Sequence, residues 1–308
     1  MTMNEAIILP GQGAQFPGMG QDWYEAYPKA RDLFDRADGV LGFALTEACF
    51  HGGVDVHRTD IAQPGIFTTS AAILTVLSDN GLELGSASMT AGLSLGEYTA
   101  LWVAGSLSFE DALRLVRLRG EAMQAASEAT PSSMTSLIGA DLAVAEKLAA
   151  MGAEAGICSV ANLNCPGQVV VSGELAALDI VESHASDHGV RRAMRLNVAG
   201  GFHSECMRPA ADRLAAALAE VTVQAPRIPF VTNVTGAPVS DPGQIVSHLA
   251  NQVCSPVLWE QSMRWALGQG HTQFLEPGPG QVLAGLMKKI DRGATVRSAA
   301  HPEDAETA

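Results

Sequence analysis

The stretch Ser88-Met89-Thr90-Ala91-Gly92-Leu93-Ser94-Leu95-Gly96-Glu97-Tyr98-Thr99-Ala100-Leu101 runs from short apolar residues through paired glycines into a helix-forming segment. That order reads as a strand, a sharp turn and a helix, which is the local signature of an α/β fold. Ser94 sits at the apex of Gly92-Leu93-Ser94-Leu95-Gly96, where such a turn lifts a hydroxyl clear of the backbone and suits it to act as a nucleophile. The pentapeptide alone is permissive in a chain rich in Gly, Ala and Ser, so its meaning depends on partners elsewhere.

The chain has 308 residues, 47% of them hydrophobic, enough for one large domain or a large domain with a smaller one. Aromatic residues make up only 5%, while Ala, Gly and Leu dominate, which favours helices packed closely on a sheet over a β-sandwich. A formal charge of -14 repels polyanions and argues against nucleic-acid binding. The start, Met1-Thr2-Met3-Asn4-Glu5-Ala6, lacks a basic region ahead of a long apolar segment. No apolar run reaches the roughly 20 residues needed to cross a bilayer, so the expectation is a cytoplasmic protein without a membrane partner. The five cysteines, Cys49, Cys158, Cys165, Cys206 and Cys254, have no metal-ligand spacing and are odd in number, so they read as free thiols with no metal site. An acidic protein partner or an anionic thioester would need a local basic patch, for which Arg191, Arg192, Arg195, Lys288 and Lys289 are the candidates.

Outward from Ser94, residues 6–9 form a short apolar strand that leads into Pro10-Gly11-Gln12-Gly13-Ala14-Gln15-Phe16-Pro17-Gly18. Pro17 and Gly18 stand where a dinucleotide loop needs its third glycine, so this is a turn whose backbone N–H groups face a ligand, not a Rossmann site. Helices are expected over 24–37 and 63–80, and Gly105 is placed to end the helix after Ser94. Ser108 then caps a helix from 109 to about 126. On its wheel Ala112, Leu115, Val116, Ala122 and Met123 form one apolar arc, Arg114, Arg117 and Glu121 face away, and Arg119 falls inside the arc. A guanidinium aimed at the interior needs an anion or several acceptors. It is either half of a structural ion pair or a clamp for a bound carboxylate.

From 134 to 198 the pattern becomes strand (134–138), helix (142–151), strand (157–162), strand (168–172), helix (175–188) and strand (191–198). That β-α-β-β-α-β order is a ferredoxin-like unit, small enough to be an insertion. The organisation expected is a large α/β domain over 1–127 and 200–291, a ferredoxin-like subdomain over 128–199, and a disordered, acidic tail over 292–308. In the returning part, helices are expected over 207–221, 242–252 and 260–267, with strands over 228–232 and 272–275.

A serine hydroxyl needs a base within hydrogen-bond reach. Seven of the eight histidines lie in loops, on predicted helices or in the tail, where surface or structural roles suffice. His203 differs, because Gly200-Gly201-Phe202-His203-Ser204 follows the last strand of the small unit and precedes a helix. Together these segments resemble the malonyl-CoA:acyl carrier protein transacylases and the related polyketide synthase acyltransferases. The resemblance rests on Pro10–Gln15, Gly92–Tyr98, Arg117–Gly120, Asn162–Gln168, the Gly-Phe-His203 turn, Gln252 ahead of Ser255-Pro256-Val257, and Glu276–Gly280, all in family order.

The resemblance implies an α/β-hydrolase-like large domain with an inserted ferredoxin-like subdomain and a cleft between them. It makes Ser94 the acylated nucleophile and His203 its base. It gives the oxyanion hole to the N–H groups of Gln12 and Leu95, the malonyl carboxylate to Arg119, and the orientation of the histidine to the main-chain carbonyl of Gln252. It implies ping-pong transfer between malonyl-CoA and a holo acyl carrier protein, with no cofactor, by a monomer. An acyl hydrolase of the same fold is the alternative, and the retained cation at Arg119 speaks against it. Leu93 stands where the family more often has histidine. Phe202, directly before the histidine, is similar to malonyl-selective members and would crowd an α-methyl group.

Overall fold

The computed structural model describes residues 5–51 and 54–307. Two sheets organise them. The larger has five parallel strands in the order β7-β2-β1-β8-β9, built from β1 (Ala6–Leu9), β2 (Thr90–Gly92), β7 (Phe230–Val231), β8 (Gln273–Pro277) and β9 (Thr295–Ala299). The smaller is antiparallel, in the order β4-β5-β3-β6, from β3 (Ser132–Ile138), β4 (Cys158–Cys165), β5 (Gln168–Glu174) and β6 (Arg192–Arg195). With α7 (Leu142–Gly152) and α8 (Leu175–His184) between its strands, it is the ferredoxin-like unit expected from the pattern. It interrupts an α/β-hydrolase-like body.

The body's helices cover a sheet whose central strands β1 and β2 are buried on both faces, as parallel sheets require. First come α1 (Gln21–Ala26), α2 (Pro28–Leu41) and α3 (Leu45–Phe50). The single helix expected over 24–37 is broken because Pro28 holds Tyr27 extended (φ −126°, ψ 120°) and opens α2 at its first position. Next, α4 (Thr59–Asp79) begins before the expected start and carries Pro64 internally. It has the length and hydropathy to cross a membrane, yet 89% of that window lies buried inside the body. After β2 follow α5 (Gly96–Val103) and α6 (Phe109–Ala129), the latter capped by Ser108 Oγ accepting the Asp111 N–H at 3.0 Å. The second half supplies α9 (Arg208–Leu218), α10 (Pro242–Gln252), α11 (Trp259–Gly268) and α12 (Val282–Ile290).

Two expectations need correction. β6 ends at Arg195 instead of Val198, and 196–202 is irregular chain leading to the His203 turn. The disordered tail is also overturned in its first part. Thr295–Ala299 pairs with the whole of β8, from Gln273↔Thr295 to Pro277↔Ala299. Beyond it Ala305 is 2% exposed, and carbonyls of Ala300, Pro302 and Ala305 accept hydrogen bonds from Trp23, Tyr27 and Asn80. The strand is faint in the sequence because only Ala299 of its residues is buried, which leaves little hydrophobic alternation.

Candidate active site

The carboxyl ends of β1, β2 and β7 lie side by side, and each delivers one element of the site. β2 ends at Gly92, and α5 begins at Gly96. Between them the chain must reverse against the neighbouring strands. A Cβ on Gly92 would collide with the backbone of Gly96 and Glu97, and one on Gly96 with the Leu9 carbonyl. The glycines of the pentapeptide are thus demanded by close approach. Ser94 takes φ 52°, and His203 takes φ 60°. Among the described residues these are the two non-glycine positions with positive φ.

The two strained residues meet. Ser94 Oγ lies 2.8 Å from His203 Nε2, and His203 Nδ1 lies 2.9 Å from the main-chain oxygen of Gln252. A carbonyl only accepts, so Nδ1 carries the proton and Nε2 is free to accept from the serine hydroxyl. The His203 turn is stitched by Ser132 Oγ, which accepts the Gly201 N–H at 2.9 Å, and by Ser204 Oγ, which donates to the Gly201 carbonyl at 2.6 Å. Burial first, and then the Arg119 guanidinium, push the imidazole pKa down to about 4, against hydrogen bonds to the backbone of Gln252 and Ser255 that pull upward. The histidine is neutral at pH 7 and can take a proton.

Arg119 is 1% exposed, as its place on the apolar arc of α6 implied. Nη2 donates to Ser94 Oγ at 3.0 Å and to Gln252 Oε1 at 2.9 Å, Nη1 donates to Gln63 Oε1 at 2.6 Å, and the guanidinium sits 5.8 Å from the centre of the Tyr98 ring. Nε is buried without a partner. No carboxylate bonds the guanidinium directly among the described residues; its acceptors are two amides and the serine. Behind them Glu97, 1% exposed, accepts from the Asn233 N–H at 3.1 Å and from Gln252 Nε2. Burial raises the Glu97 pKa to about 7, opposed by hydrogen bonds from Thr232, Asn233 and Gln252 and by the charge of Arg119.

Asn233, at the end of β7, brackets the nucleophile. Its Oδ1 accepts the Ser94 N–H at 2.6 Å, and its Nδ2 donates to the Gly92 carbonyl at 2.6 Å. Asn233, Glu97 and Gln63 were given no role from the sequence. Asn233 follows a recognisable strand, and Glu97 lies three residues beyond Ser94, but neither position reveals its contacts.

Gln12, Ser94, Phe202 and His203 line a cleft of ≈ 670 Å³ whose opposite wall, including Asn162 and Val170, comes from the small sheet. Leu93 also faces it. The Gln12 side chain donates to Thr59 Oγ1 at 3.2 Å. Among the described residues neither the Gln12 nor the Leu95 N–H has an intramolecular acceptor. Of the basic candidates, Arg195 is neutralised by Asp179 (2.9 Å) and Glu182 (2.6 Å). Arg191, Arg192, Lys288 and Lys289 are exposed, and Lys289 Nζ donates at 2.9 Å to Gln168, a cleft residue.

A parallel sheet that presents a serine and a histidine to a cleft walled by a ferredoxin-like insert defines an acyltransferase, and residues 7–301 match the family model of the acyl transferase domain. The malonyl CoA-acyl carrier protein transacylase of Bacillus subtilis is 39% identical over 305 residues, covering 98% of this chain and 95% of its own. The chain belongs to the malonyl CoA-acyl carrier protein transacylase family. The acyl-carrier-protein S-malonyltransferase of Bartonella henselae superposes with a TM-score of 0.95 at 39% identity, over 99% of this chain and 98% of that one. A malonyl-transacylase in complex with its type II PKS acyl-carrier protein gives 0.94 at 35% identity, over 99% and 98%.

Proposed function

We propose that this chain moves a malonyl group from malonyl-CoA to the phosphopantetheine thiol of a holo acyl carrier protein, through a malonyl ester on Ser94. One observation carries the reading: a buried, permanent cation lies one hydrogen bond (3.0 Å) from the Ser94 hydroxyl. Such a guanidinium suits an acyl group that ends in a carboxylate, which it binds through paired N–H groups.

His203 Nε2 takes the Ser94 proton as Oγ attacks the thioester carbonyl. The N–H groups of Gln12 and Leu95, without acceptors among the described residues, receive the developing oxyanion. The tetrahedral intermediate collapses, the C–S bond breaks, and His203 returns the proton to the CoA thiolate. The carrier's thiol then attacks the malonyl ester by the reverse route, and His203 moves its proton to Ser94. The Gln252 carbonyl holds the histidine in the tautomer each step needs. The overall exchange runs from one thioester to another and is nearly thermoneutral, so no metal or redox group is called for. Phe202, at the cleft wall, disfavours an α-methyl branch, by the roughly 1–3 kcal/mol that one methyl is worth in a pocket. Arg191, Arg192, Lys288 and Lys289, near the corner where Gln168 meets Lys289, suit an acidic carrier domain. The fold and charge fit a cytoplasmic monomer.

Incubation with malonyl-CoA and with acetyl-CoA, read by intact mass, tests the reading. The expected result is a malonyl adduct that is absent in Ser94→Ala and discharged by holo carrier protein. Arg119→Ala should slow malonylation far more than acetylation. Equal losses would remove the clamp, and rapid release of free malonate would make the protein a hydrolase.

A further inference from the structure

We infer that Glu97 is a positioning residue: its carboxylate fixes the side-chain amide of Gln252, which in turn aims Arg119, so that the charge on Glu97 sets the preference for carboxylate-bearing acyl groups. The inference rests on the proposed clamp role of Arg119.

The geometry runs through one amide. Gln252 Nε2 faces two acceptors, the Ser94 carbonyl at 2.9 Å and Glu97 Oε2, while its Oε1 accepts from Arg119 Nη2 at 2.9 Å. An amide donates only from nitrogen and accepts only at oxygen, so this orientation is the one that satisfies all three partners. Turned over, Nε2 would face the guanidinium donors, and Oε1 would face a carboxylate and a carbonyl. Glu97 joins the Ser94 carbonyl and the guanidinium in selecting the first. Its oxygens receive the Asn233 N–H and the Gln252 amide, with the Thr232 hydroxyl beside them, an array of donors that fits the ionised form. Protonation weakens the hold of Glu97 on the Gln252 amide, and with it the fixed placement of the acceptor that aims Arg119.

The charges around Glu97 are few. Arg119 faces it from α6 and Tyr98 from its own helix, and His203 lies across the Gln252 carbonyl. The Tyr98 phenol is held above its ordinary pKa by burial, and His203 is neutral near pH 7, so among the described residues Arg119 is the cation Glu97 balances. Gln252 and the segment after β7 contribute uncharged groups alone. Burial places the titration of Glu97 near neutrality, at about 7. An uncharged acyl group has no use for an aimed guanidinium and should be indifferent to this arrangement.

The test compares acylation of Ser94 by malonyl-CoA and acetyl-CoA in the native protein, Glu97→Gln and Arg119→Ala, from about pH 6 to about pH 8. The ratio of the two rates cancels the titration of His203 and of the CoA phosphates. In the native protein the ratio should rise with pH as Glu97 ionises. Glu97→Gln should lower kcat/KM for malonyl-CoA by roughly ten- to a hundredfold, mainly through KM, leave acetyl-CoA within a few fold, and flatten the ratio with pH. Equal losses for both substrates in Glu97→Gln, or a ratio still rising with pH, would overturn the inference while a collapsed ratio in Arg119→Ala kept the clamp. If Arg119→Ala also loses both equally, the clamp itself has failed. Should Glu97→Gln not fold, the native ratio alone decides, and a ratio flat across neutrality overturns the inference.

Discussion

At the scale of single residues, the cost of this site is backbone strain. Ser94 and His203 hold positive φ where an L-residue sits about 1–2 kcal/mol above its relaxed backbone. The surroundings impose it: Asn233 grips the chain leading into Ser94, at the Gly92 carbonyl and the Ser94 N–H, and the Gly92 and Gly96 contacts leave no wider turn. The expected outcome is that Ser94→Gly melts higher than Ser94→Ala, by about 1 kcal/mol, since both lack the hydroxyl and only alanine retains the strained Cβ. Calorimetry of the two inactive variants checks it, and equal stabilities would show that the turn is relaxed. The sequence announced the two strained residues through their flanking glycines, which mark where a backbone must pass closely. It could not announce Asn233, because the contact requires that β7 lie beside β2, a fact of topology 139 positions away from Ser94.

At the scale of elements, two helices show how local signals divide. α6 was readable because a 3.6-residue period exposes any polar residue on the wrong face, and Arg119 is on that face. What the guanidinium touches was not readable, since Gln63 comes from α4 and Gln252 from the end of α10. α12 is a converse case. It follows Pro277-Gly278-Pro279-Gly280 and has no side-chain cap of its own; instead Glu276, from the end of β8 and fully buried, accepts the N–H groups of Leu283 and Ala284, both at 2.8 Å. Burial raises the pKa of this carboxyl, and the helix N–H groups pull it back. Glu276→Ala strands those two donors, so the urea midpoint should fall by the equivalent of roughly 1–3 kcal/mol with an unchanged slope. Because α12 carries Val282 and Leu286 into the cleft, acylation should slow in the same variant. A midpoint at the native value would mean that water caps the helix equally well.

At the scale of the molecule, the division into a large α/β body and a small insert followed from the rhythm of strands and helices, the insert being visible as a change in that rhythm. The end of the chain was not, for a polar edge strand carries too little apolar pattern to stand out from solvated tail. A chain ending at Gly293 separates the two readings. Loss of β9 exposes the edge of β8 and removes the partners of Trp23, Tyr27 and Asn80, so the truncated protein should melt well below the full chain or aggregate, whereas a dispensable tail would leave melting unchanged. The strand order has one more consequence, for how the protein is made. β1, which precedes the other described strands in the chain, lies in the middle of the large sheet, and its neighbour β8 begins only at Gln273. The nascent chain must therefore keep one edge of its first strand uncovered through most of synthesis, while the small antiparallel unit, with all its strands between 132 and 195, can close early. Final assembly of the sheet that carries Ser94 waits until β8 and β9 have been made and can meet β1.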